Sequence, residues 1–140
     1  MVSVSFESIV KAQLIRHEGC RLKPYEDTVG KTTIGIGRNL DDVGISQAEA
    51  DFLFENDVNR AVEDCRKLIN NFDMLSENRK AVIVNMMFNL GYRKFAEFRN
   101  TIAAIESFHY EEAANEMLDS TWARQVKGRA IELADLMRAG

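Results

Sequence analysis

Residues 17–37 read HEGCRLKPYEDTVGKTTIGIG, and this stretch decides the fold. Five of the eight glycines and the only proline, Pro24, fall between Gly19 and Gly44. Before it, Phe6, Ile9, Val10, Leu14 and Ile15 recur at helical spacing behind Ser5, a good N-cap. Within it, two short β-type runs, Arg21–Tyr25 and Lys31–Ile36, flank Asp27-Thr28-Val29-Gly30. An Asp that opens and a Gly that closes four residues is the signature of a type I turn. The stretch therefore predicts a first helix over 5–18, stopped by Gly19, and a compact β-hairpin.

Downstream, glycine almost vanishes and the chain becomes helical. Ser46-Gln47-Ala48-Glu49 is a capping box, followed by an amphipathic stripe through Leu53, Val58, Ala61, Cys65 and Ile69. Such a helix, over about 46–69, extends ~36 Å and is expected to connect two lobes. Lys80 to Leu90 is apolar nearly all round, as befits a helix surrounded by others, and ends at Gly91. Shorter helices are expected at about 100–107, 110–118, 121–126 and 128–138. The fold class is α+β, mainly α. It is one two-lobed domain over 1–140, with a β-bearing lobe about 19–45, the connecting helix, and a helical lobe about 70–140 on which helix 5–18 packs.

Composition bounds the function. The chain has 140 residues, 46% hydrophobic and 29% charged, which excludes disorder, collagen and a disulfide scaffold. Its net charge of −4 is uneven: +2 over residues 1–40, −7 over 41–78 and +1 over 79–140. The absence of a Lys/Arg run argues against nucleic acid, and the balanced charges of Gly128–Arg138 argue against stable membrane insertion. Cys20 and Cys65 have no metal or redox spacing and read as two free thiols. Met1–His17 has no apolar block of the signal-peptide kind, so delivery by a standard cleaved secretory signal is not expected.

Several catalytic templates fail. Gly30-Lys31-Thr32 resembles the end of a phosphate-binding loop, but Tyr25 stands where that pattern needs glycine. Leu40 takes the third glycine position after Gly35-Ile36-Gly37. His17 and Cys20 find only one other histidine, His109, so no metal site is expected, and no Gly-x-Ser-x-Gly elbow occurs. The carboxylates are more promising. Glu18 follows Val10 and Leu14 on one helical face and sits where the helix dipole opposes a negative charge. An inward-facing carboxyl there would favour its protonated form, as a general acid requires. Periodicity leaves its orientation open and by itself favours an outward one. Asp27 alone reads as a turn residue and Thr33 as a β-former. Together, Glu18-x8-Asp27-x5-Thr33 sets a helix-end carboxylate beside a hairpin bearing a carboxylate and a hydroxyl, a pairing used to cleave glycosidic bonds.

The stretch from His17 to Gly37 resembles the catalytic segment of the phage T4-type lysozymes. The likeness continues through Ile45–Val58, Asn85–Gly91, Phe98–Thr101, Glu112–Ala114, Trp122 and Gly128–Ala130. It implies a lysozyme-like fold and cleavage of the β-1,4 bond between N-acetylmuramic acid and N-acetylglucosamine in peptidoglycan. Glu18 would be the general acid, and Asp27 with Thr33 would position the attacking water, with inversion. Arg129 would hold the acid, and Phe88, Asn89 and Asn39 would meet the sugar in a cleft between the lobes. Trp122 reads as core, and Phe88 as either cleft floor or core. Neither cofactor nor metal is implied, the glycan strand is the partner, and a monomer is expected. Three departures from the type member stand out: Arg38 replaces a histidine, the stretch 39–45 is shorter by more than a dozen residues, and the chain ends earlier, at Gly140. The shortened stretch keeps two rivals open, a chitinase or chitosanase on the same scaffold and a non-catalytic glycan-binding module.

Overall fold

The computed structural model describes residues 5–140; the first four residues of the segment read for a signal peptide lie outside them. The chain divides into two compact units, one up to Phe52 and one from Leu53 to Gly140. The first holds α1 (Phe6–Glu18), β1 (Arg21–Glu26), β2 (Thr32–Gly35), β3 (Arg38–Asn39), α2 (Leu40–Val43) and the start of α3 (Gln47–Leu68). Ser5 caps α1 as expected, its Oγ accepting the Ser8 N–H at 3.2 Å. The strands form one antiparallel sheet in the order β1-β2-β3. Tyr25 and Asn39 lie opposite Thr33 on either side, and the β1–β2 register shifts between Arg21 and Tyr25.

Neither β3 nor α2 is expected from the sequence. Both are built by local hydrogen bonds rather than by apolar periodicity. Asn39 Oδ1 accepts the Asp42 N–H at 3.1 Å and so starts α2. Asp41 Oδ2 accepts the Thr32 N–H at 2.9 Å and ties α2 to the sheet. Among the described residues up to Phe52, Thr33 alone is fully buried. Polar bonding, not an apolar core, shapes this unit.

Helix α1 belongs to this unit. Its contacts group it with the β-bearing unit, whereas the sequence reading groups it with the helical lobe. It has no buried residue: Val10 is 39% and Leu14 40% exposed. The physical reason lies in its own unit, whose first strand exposes Arg21-Leu22-Lys23-Pro24 and offers no apolar layer to cover.

The second unit carries the core. After α3 come a 3-10 turn (Phe72–Met74), α4 (Glu77–Ala96), α5 (Arg99–Glu106), α6 (Tyr110–Leu118), α7 (Thr121–Val126) and α8 (Gly128–Ala139). The bounds of α5 to α8 fall within about one residue of those expected. Helix α4 continues five residues past the expected stop, but it breaks at Gly91, whose φ of 79° and ψ of 164° are not helical. Val82, Ile83, Met86 and Met87 of α4 share one buried cluster with Ile105 of α5, Met117 of α6 and Leu133 and Met137 of α8. Trp122 is buried, with Phe98 edge-on to it at 6.2 Å. Cys65 lies fully buried in this core and Cys20 is exposed in the first unit; both are free thiols. Burial, helped by the nearby Asp64 charge, pushes the Cys65 thiol up to about 12.

Candidate active site

In the first unit, local geometry brings the candidate residues to the end of α1 and to the hairpin. Asp27 closes the turn between β1 and β2. Its backbone accepts the Gly30 N–H at 3.0 Å, and its Oδ1 accepts the N–H groups of both Val29 and Lys31 at 2.9 Å. The turn reading of Asp27 is therefore correct. Among the described residues no hydrogen bond uses Oδ2. Thr33, in the middle strand, donates its hydroxyl to the Lys31 carbonyl at 2.9 Å. A hydroxyl whose proton is so committed presents its lone pairs elsewhere as acceptors. The site thus offers a carboxylate oxygen and a hydroxyl oxygen, both accepting, on one hairpin.

Glu18 is exposed, not inward-facing. Its methylenes lie against the turn that joins β2 to β3: a carbon placed on Gly37 would stand 3.2 Å from Glu18 Cγ and 3.4 Å from its Cβ. That turn is anchored at the next residue. The Arg38 guanidinium forms a two-pronged ion pair with Glu49 and also donates to the Gly44 carbonyl at 2.9 Å. Glu49 has a second duty, since its Oε1 accepts the Ser46 N–H at 2.8 Å and completes the capping box of α3. Hydrogen bonds from Arg38 and then Ser46 draw the Glu49 carboxyl from its ordinary 4.5 down to about 2. Sequence reading noted Arg38 only as a replaced histidine and Glu49 only as a cap. Nothing in either segment alone signals that they meet.

Of the remaining candidates, Asn39 lies in the first unit and Phe88, Asn89 and Arg129 in the second. Phe88 is 45% exposed and is not core; its ring sits 6.2 Å from that of Phe54. The two rings, with Val58, Val62, Val84 and Arg129, line a cavity of about 590 Å³. Arg129, in the first turn of α8, turns its fork onto Asn85 of α4, with Nε and one terminal nitrogen 3.0 and 2.6 Å from Asn85 Oδ1. Asn85 is the partner that sequence reading left without a role. Asn89 accepts the Trp122 indole N–H at 2.6 Å, so the buried tryptophan keeps a satisfied polar edge. Asn39 is engaged with Asp42 through both ends of its amide, and it neighbours Thr33 across the strands. Among the described residues no cluster of three metal-ligating side chains occurs, and no helix is long and apolar enough to cross a membrane.

The sequence matches the phage lysozyme family over residues 15–138. The chain belongs to the phage lysozyme family. Two relatives from Dictyostelium discoideum, "Probable T4-type lysozyme 2" and "Probable T4-type lysozyme 1", are each 30% identical, with 95% of both chains covered. The "Pre-baseplate central spike protein Gp5" of Enterobacteria phage T4 is 29% identical over 91% of this chain and 27% of its own length. As a phage lysozyme, the protein is a glycoside hydrolase. The alignments to the Dictyostelium proteins run over 162 positions against a chain of 140, so those lysozymes carry residues that this one lacks.

Proposed function

We propose that this lysozyme hydrolyses the β-1,4 bond between N-acetylmuramic acid and N-acetylglucosamine of peptidoglycan with inversion, and so lyses bacterial cells. Glu18 gives its proton to the departing sugar oxygen. A water held between Asp27 Oδ2 and the Thr33 hydroxyl attacks the anomeric carbon. Both oxygens accept a hydrogen bond from the water and leave one of its lone pairs free for the carbon; as the bond forms, one water proton passes to Asp27 Oδ2 and the other stays on the new hydroxyl. The observation that carries this reading is the division of labour within Asp27, whose Oδ1 is spent on the turn while Oδ2 stays available. Inversion requires the two carboxyl groups to be ~6.5–9.5 Å apart to admit the water.

The deciding experiment compares wild type with Glu18→Gln on purified peptidoglycan, reading new reducing ends. Loss of activity with an unchanged circular dichroism spectrum supports the assignment, and full activity in the variant removes Glu18 as the acid. The anomer first released, read by proton NMR, tests inversion separately. The role of Arg129 in holding the acid belongs to the same proposal; Arg129→Lys keeps the charge but loses the fork on Asn85 and should lower kcat. Because the relatives carry residues this chain lacks, digestion of chitosan in parallel checks a wider glycan preference.

A further inference from the structure

We propose that Gly37 is a positioning residue for Glu18, and that its missing side chain fixes where the acid's carboxyl group points. The inference rests on the reading of Glu18 as the acid. It starts from one close approach: a methyl at position 37 would stand 3.2 Å from Glu18 Cγ, 3.4 Å from Cβ and 3.6 Å from Cδ, so the space a side chain would take is bounded by Glu18. Carbon atoms prefer ~3.5–4.0 Å, so something must move by a few tenths of an ångström.

The turn is poorly placed to move. It is bounded by the pairs Ile34–Arg38 and Thr33–Asn39, and Arg38 is tied to Glu49 and to the Gly44 carbonyl. The Glu18 side chain, exposed and flexible, yields instead. A substitution at Gly37 therefore leaves the fold largely intact and displaces the carboxyl group. Since reacting groups lose efficiency steeply with displacement, about 10²-fold per ångström in unfavourable cases, a shift of a few tenths should cost about tenfold.

Gly35 supplies the control. It lies two residues away at the end of β2, and its φ of +68° is close to the +77° of Gly37, so alanine meets similar backbone strain at both. At Gly35, however, an added carbon finds nothing within 4 Å. The experiment measures melting temperature, kcat and KM on soluble peptidoglycan fragments for Gly35→Ala and Gly37→Ala, with Glu18→Gln alongside. Similar melting temperatures are expected for the two alanine variants, with kcat about tenfold lower and KM unchanged in Gly37→Ala alone. Equal losses of kcat would assign the effect to backbone strain and overturn the proposal, as would undiminished kcat in Gly37→Ala. Should alanine prevent folding, the pair Gly35→Asn and Gly37→Asn repeats the comparison, since Asn tolerates positive φ. Failure of both Gly37 variants to fold, where their Gly35 counterparts fold, also overturns it. An active Glu18→Gln would sink the underlying assignment of the acid instead, which keeps the two failures distinguishable.

Discussion

At the scale of single residues, Asp27 commits one carboxylate oxygen to the turn, and the proposed chemistry falls to the other. Asn can replace its Oδ1 as acceptor for Val29 and Lys31 but cannot supply an anionic second oxygen. Asp27→Asn should therefore keep the melting temperature within a few degrees and lose about 10²-fold or more in kcat. Asp27→Ala should add a stability loss of about 1–3 kcal/mol, since two backbone N–H groups lose their acceptor. Thermal unfolding beside kinetics separates the two effects; an Asn variant as active as wild type would make Asp27 a turn residue only. The site was legible to this depth because helix end, turn and strand follow one another within sixteen residues. What stayed hidden at this scale depends on contacts between distant positions. Arg129 meets Asn85 across 44 residues, and Asn89 meets Trp122 across 33. No spacing rule links either pair.

At the scale of elements, the caps Ser5 and Ser46 are legible in the sequence and start α1 and α3, whereas Ser76 and Ser120, which cap α4 and α7, show only in the structure. Two of the elements that escaped, β3 and α2, are two and four residues long. No period can register over such lengths, and both exist because Asn39 caps one and pairs in the other. The Arg38–Glu49 pair gives this region a pH dependence with a definite sign. The Glu49 carboxyl titrates lower in the folded chain than its ordinary 4.5, so its stabilising contribution is complete above about pH 5 and fades as pH falls toward about 2. The difference in melting temperature between wild type and Glu49→Gln should accordingly shrink over that window. A difference that is constant with pH would mean that the ionised pair contributes nothing. Lys127 is a second device of this scale. It is at once the last cap of α7 and the first of α8, with φ 51° and ψ −109°, a conformation costly for any side-chain-bearing residue. Lys127→Gly should raise stability by about 1 kcal/mol in denaturant titration, because the joint then carries no strain.

At the scale of the whole molecule, every buried apolar side chain among the described residues lies between Ala61 and Met137. The cysteines report this contrast. Cys20 should be alkylated in the native protein within minutes at neutral pH. Cys65, buried and with its thiol pushed up to about 12, should react only as the second unit opens. Mass spectrometry of a labelling time course gives both rates, and prompt double labelling would contradict the burial of Cys65. The contrast also has a thermodynamic consequence. Heat capacity and denaturant sensitivity both scale with the apolar surface that opening exposes. The unit bearing Glu18, Asp27 and Thr33, held by polar bonds, should open with a shallow dependence on urea and on temperature. The helical unit should open steeply in both. Amide hydrogen exchange in low urea should then show two families of slopes along the chain, with the candidate catalytic segment in the flat one.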